Sequence, residues 1–263
     1  MSKRFSVQRA FSSAAAACLL GCSGPAQVDS ESSCPDYSPQ ASPGEISKSP
    51  RPDGAAEILA IETADAFVAP DALYERIAAE LPAIAALQPA VAGMWPLSTS
   101  QHNVLDVVFD ASGWEAWQSA SYDAWDCPNQ AYGVTKVEAV GGVGARRVAL
   151  TFGDKRFHMA KLAAEYAALP HVTNARQDLP WTDAPDVCLE IQGDVHVYLF
   201  DQASGDCPAG CYKHKVYGFR VAPGVVVTSL GTWDSTVSPA PPSWYTELTD
   251  CQKRLASIGG VGQ

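Results

Sequence analysis

Between Asp186 and Trp233 the chain repeats one kind of segment: "DVCLEIQ", "DVHVYLFD", "CYKHKVYGFRV" and "GVVVTSLGTW". Each run is rich in β-branched or aromatic residues and is set off from the next by Gly, Asp or Pro, the pattern of strands joined by turns. The joints constrain the fold. Parallel neighbours need a crossover of a dozen or more residues, and none of these connections is that long, so the runs must pair antiparallel.

Upstream the chain reads as though one plan were used twice. A strand is expected at "EILAIET", where Leu59 and Ile61 alternate with small or polar neighbours. A helix then opens at Pro70-Asp71, carries Tyr74, Ile77, Ala78 and Leu81 on one face, and meets Pro82, through which a helix rarely runs far. The plan restarts at "RRVALTF". Its helix carries Met159, Leu162, Tyr166 and Leu169 at the three- and four-residue spacing of a buried stripe, and meets Pro170. "AAELPAIAAL" (78–87) lines up with "YAALPHVTNA" (166–175), "VLDV" (104–107) with "CLEI" (188–191), and "WDCPNQAYGV" (125–134) with "GDCPAGCYKHKVYGF" (205–219). The reading is an internal duplication of class α+β. Two tandem units, 55–143 and 144–235, each pack a helix on an antiparallel sheet. Residues 236–263 form a tail with a short helix around "YTELTDCQKRLAS". This order is similar to cystatin-like folds. It also resembles tandem helix-plus-sheet inhibitors such as the β-lactamase inhibitor proteins, a resemblance that implies an inhibitor-like role.

The chain opens "MSKRFSVQRAFSSAAAACLLGCSG": a basic stretch with Lys3, Arg4 and Arg9, then apolar and small residues from Phe11 to Leu20. That stretch is too short to span a bilayer as a mature helix and has the pattern of a secretory signal peptide. Its end, Leu19-Leu20-Gly21-Cys22, resembles the lipobox of bacterial lipoproteins. The resemblance implies removal of residues 1–21, a diacylglyceryl thioether on Cys22 and acylation of the new terminus. Ser23, rather than Asp, after that cysteine favours the outer membrane by analogy with Gram-negative sorting. Residues 22–54, rich in Ser, Pro, Asp and Gly without apolar periodicity, are expected to be a flexible linker.

Removing residues 1–21 takes three positive charges and no negative one from a formal charge of −11, leaving −14. So acidic a body is repelled by phosphate backbones, which excludes nucleic acid as an expected partner. The membrane is reached through the lipid, and any further partner is a protein or small ligand.

Of eight cysteines, Cys18 leaves with the signal peptide and Cys22 carries lipid. Cys34, Cys127, Cys188, Cys207, Cys211 and Cys251 remain, an even number that implies disulfides in an exported chain. Cys207–Cys211 is expected as a pair by proximity, closing a corner where Pro208 and Gly210 suit a tight bend. A redox dithiol there would need two intervening residues and a following helix; three intervene and a strand follows. A zinc site would need further ligands, with His196 and His214 on neighbouring strands the available ones. For the rest, Cys127 is matched with Cys34, which leaves Cys188 with Cys251, other partitions of these four remaining open.

"GGVGARR" (141–147) lacks the third glycine and following helix of a dinucleotide loop and reads as a turn. Gly-x-Ser-x-Gly and His-Glu-x-x-His are absent, and His102, His158, His171, His196 and His214 are scattered. No catalytic residue, cofactor or metal is assigned. Trp114, Trp117, Tyr122, Trp125 and Tyr132 cluster closely. Exposed, they would form a binding patch for a protein, peptide or sugar ring; otherwise they fill the core or the seam between units. The leading expectation is a non-enzymatic, membrane-anchored binding module. The alternative is a secreted hydrolase with dispersed catalytic residues, which a His beside Ser or Asp in a pocket would favour.

Overall fold

The computed structural model describes residues 34, 36–96, 102–142, 144–177, 185–205 and 213–253. Two four-stranded antiparallel sheets, each with helices packed on it, make up the fold. The first contains β1 (Val104–Phe109), β2 (Lys136–Val140), β3 (Arg147–Thr151) and β4 (Val172–Gln177) in the order β2-β3-β1-β4. Three helices fill its connections: α4 (Ala111–Gln118), α5 (Asp126–Tyr132) and α6 (Met159–Ala167). Met159, Leu162, Ala163 and Tyr166 of α6 bury the expected stripe against Leu105, Val107, Val148 and Leu150.

The second sheet is the expected meander: β5 (Pro185–Gln192), β6 (Val195–Ser204), β7 (Lys213–Ala222) and β8 (Val226–Asp234), paired in chain order. Its side chains alternate between two covered faces. Val187, Leu189, Tyr198, Phe200, Tyr217, Phe219 and Val221 face one core. Cys188, Val197, Leu199 and Val216 face another, closed by Leu248 and Cys251 with Trp244 and Tyr245 of α7 (Ser243–Thr246). Trp244 lies flat over β7 at Gly218, where a Cβ would stand 2.7 Å from the indole. Only a residue without a side chain admits the ring there.

The helices on the first of those faces come from the far end of the chain. "EILAIET" is not a strand but most of α2 (Gly54–Thr63), and every residue from Gly54 to Ile61 is buried. A helix buried on all sides shows no face-to-face periodicity, which is why the segment reads locally as an alternating strand. The helix after it, α3 (Asp71–Leu87), runs through Pro82 instead of ending there. The lost hydrogen bond costs about 3 kcal/mol or more, and Ile84 beyond the proline is fully buried. Ala56, Leu59, Ile77 and Ile84 pack with β5–β7. The cores therefore do not divide at residues 143 and 144: helices α2 and α3 close on the second sheet, Phe67 between them joins the first core, and β3 belongs to the first sheet. The duplication fails in detail too, because "WDCPNQAYGV" is largely helix α5 whereas its proposed counterpart contains strand β7.

The expected linker also ends early. From Cys34 the chain is a strap across the first unit, with α1 (Pro43–Ile46) held by a Ser42–Glu45 capping box and Ala41, Ile46 and Ser49 buried. Its low apolar periodicity conceals this, because specific polar bonds hold it. Glu165 accepts from the Tyr37 and Tyr132 hydroxyls and from Gln40 Nε2, and Gln40 N–H donates to Tyr132 at 3.0 Å. Disulfides join Cys34 to Cys127 and Cys188 to Cys251, the pairing favoured above. Cys22, Cys207 and Cys211 lie outside the described residues, as does residues 1–21, the expected signal peptide.

Candidate functional site

The aromatic cluster of the first unit divides in two. Trp125 is 5% exposed and Tyr132 fully buried, so neither belongs to a surface patch. Trp125 meets Phe109 and Tyr122 edge-on at 5.4 and 5.2 Å, and Tyr132 stacks among Phe67 and Phe157. Both are core aromatics. Trp114 and Trp117, three apart on α4, stack with each other at 4.9 Å and 26°. They and Tyr122 are only partly buried against the core. What remains of the expected patch is Trp114, Trp117 and the outer side of Tyr122.

Short-range chemistry holds α4 firmly. Asp110 caps it, accepting from Gly113 N–H at 2.7 Å, and its other oxygen lies 3.1 Å from His171 Nδ1. These contacts, Gly113 first, keep its carboxyl below the ordinary aspartate range. A Cβ at Gly113 would stand 2.7 Å from that of His171, so helix and turn meet at closest approach. The Tyr122 hydroxyl donates to Pro170 O at 2.7 Å. Burial first, then the charges of Asp110 and Asp123, push this phenol up to about 12. Burial and Asp123 likewise raise Asp126. Carboxylates thus act on the Tyr122 side of the cluster.

Each histidine stands beside a carboxylate. His102 Nε2 is 3.2 Å from Glu62, His158 Nε2 3.0 Å from Asp65, His171 3.1 Å from Asp110, His196 Nδ1 2.6 Å from Glu80, and His214 Nδ1 2.8 Å from Asp201. Two of these, with Arg156–Glu57 at 2.7 Å, join α2 to the first unit and form a polar seam between the sheets. His196 and Glu80 are both buried, and Tyr198 donates to the same carboxylate at 2.5 Å. His196 and His214 do lie on neighbouring strands, but on opposite faces of the sheet, so they cannot share a zinc ion: one meets α3, the other Asp201 on the side of α7. Among the described residues no group of three His, Cys, Asp or Glu side chains is arranged to hold a metal.

Asp201–His214 has the geometry closest to a proton-transfer pair. The carboxylate is 2% exposed while the imidazole side chain retains 30% exposure, so a buried acid orients an accessible base. Directly opposite Asp201 on β5 lies buried Asp186. Burial and then the Asp201 charge raise the Tyr245 phenol above its ordinary value. Sequence reading missed this arrangement because it is made by strand register, not by a motif. The chain matches no protein-family model, no curated protein and no solved structure.

Proposed function

We propose that this chain is an exported lipoprotein, anchored through Cys22 to the bacterial outer membrane, whose folded part is a non-enzymatic module that binds a protein or peptide. The observation that carries the reading is the Trp114–Trp117 stack: two large aromatics left partly exposed on a short, doubly braced helix. Aromatics of this kind are the common anchors of binding surfaces. The two cross-chain disulfides support an oxidising compartment.

The test compares the mature chain from Ser23, without lipid, with its Trp114→Ala/Trp117→Ala double variant in pull-downs from envelope extract. A partner retained by the first and lost by the second is expected. Identical captures by both would overturn the reading.

Asp201–His214 favours a second reading, a hydrolase using His214 as general base. His214→Gln would then abolish turnover in a panel of ester and amide substrates. Turnover unchanged by that substitution, or absent from the wild type, removes it.

A further inference from the structure

We infer that the α4–α5 surface recognises a cationic partner: an extended peptide segment that presents arginine or lysine side chains to Trp114 and Trp117. The inference rests on the proposed reading of α4 as a binding surface and adds the chemistry of what binds.

Charge distribution is the first support. Between Arg76 and Lys136 the sequence contains no lysine or arginine. The whole segment that builds β1, α4 and α5 is thus without fixed positive charge, in a protein that has lysines and arginines elsewhere. Within it, Asp110, Glu115, Asp123 and Asp126 surround the aromatics in sequence, and Glu115, Asp123 and Asp126 are exposed. Asp110 and Asp123 both act on Tyr122, the aromatic that packs edge-on against Phe109 and Trp125. His171, on Asp110, is the described base in contact with this cluster.

The second support is the kind of aromatic. An indole face carries negative quadrupole density and is the best side-chain partner for a guanidinium or ammonium group. Two of them stacked and partly exposed, in a segment that carries Asp110, Glu115, Asp123 and Asp126 and no lysine or arginine, supply both halves of a cation site: a flat apolar face for the side-chain stem and acceptors for its charged head. An anionic ligand would be repelled from the same place. A neutral sugar could stack on the rings and donate hydroxyls to the carboxylates but would gain nothing from their net charge. A basic peptide uses both.

The experiment titrates the mature chain from Ser23 with hexa-arginine, hexa-lysine, hexaglutamate and an uncharged Gly-Ser hexamer, following tryptophan fluorescence and calorimetric heat at two salt concentrations. Hexa-arginine is expected to bind most tightly, and hexaglutamate and the uncharged peptide not to bind. Raising the salt should weaken binding several-fold. Trp114→Ala/Trp117→Ala should weaken it at least tenfold. Glu115→Gln/Asp123→Asn, which leaves the core intact, should weaken it several-fold with unchanged thermal unfolding. Absence of cationic binding overturns the inference. So does binding unchanged in both double variants, because attraction would then belong to the acidic body as a whole. If an uncharged peptide or an oligosaccharide binds in a Trp114- and Trp117-dependent manner while hexa-arginine does not, the cationic inference fails and the binding-module reading stands.

Discussion

Glu80 concentrates more chemistry than any other buried side chain in the second unit. At 1% exposure it accepts from Arg76 at 2.8 Å, from Tyr198, and pairs with His196. Burial works to raise its pKa, but the bonds from His196, Tyr198 and Arg76 outweigh that and hold the group below its ordinary 4.5. A carboxylate with a depressed folded pKa contributes stability that is fully present above the unfolded value and is lost as pH falls through the folded one. Glu80→Ala should therefore cost about 3–5 kcal/mol near neutrality, because it strands a buried imidazole and phenol. In urea unfolding followed against pH, that deficit should shrink below about pH 4.5. A deficit independent of pH would show that Glu80 acts by volume alone. Gly218 is the other singular residue. Gly218→Ala drives a methyl into Trp244, with an expected loss of about 1–3 kcal/mol and a change in tryptophan emission as α7 shifts.

Among the elements, α6 depends on an unusual cap. His158 supplies the acceptor for Lys161 N–H through Nδ1, so the ring must be neutral there, with Nε2 toward Asp65. Burial lowers the pKa of His158 from 6.5, with the Asp65 charge opposing and Lys161 assisting. A base with a lowered folded pKa gives stability that is present above about pH 6.5 and lost as pH falls toward the folded value. Protonation removes the cap. His158→Asn keeps an acceptor that does not titrate. Its unfolding midpoint should be flat across the window from pH 6.5 to 5, where the wild type declines. A parallel decline in both proteins would place the pH sensitivity elsewhere. Helix α2 makes the complementary point. It has no solvent face over Gly54–Ile61, its polar residues Glu57 and Glu62 are spent on Arg156 and His102, and Asp65 just past its end meets His158.

For the whole molecule, the decisive contacts are distant in sequence. Helices α2 and α3 pack on strands that begin at Pro185, and the disulfides span 93 and 63 residues. In the chain-entropy limit each disulfide contributes roughly 4–5 kcal/mol. Cys34→Ser/Cys127→Ser should release the strap and expose residues 36–50 to proteolysis, whereas Cys188→Ser/Cys251→Ser should free α7 and leave the strap protected. Fragment 55–143 should fail to fold, because α2 and α3 would lose the sheet that covers them; a cooperative unfolding transition in that fragment would contradict the packing described here. Where a local pattern was strong it matched the structure, although the strand expected at 57–63 is helix α2, the helix stop expected at Pro82 does not occur and the expected linker is a strap from Cys34 onward. Alternation marked all four strands β5–β8 and the three-four stripe marked α6, and the matching of Cys127 with Cys34, one of several open partitions, agrees with both disulfides. What could not be read was partnership. Buried on all sides, α2 has no periodicity to distinguish helix from strand, and nothing in its neighbours says that it will close on β5 rather than on β1. Burial of Trp125 and Tyr132 beside the partly exposed Trp114 and Trp117 is likewise invisible in a list of aromatics. Local pattern by itself determined which segments have a face to bury, because side-chain period follows backbone geometry. Only tertiary structure decided which faces meet, because that depends on shape and charge complementarity between segments more than a hundred residues apart.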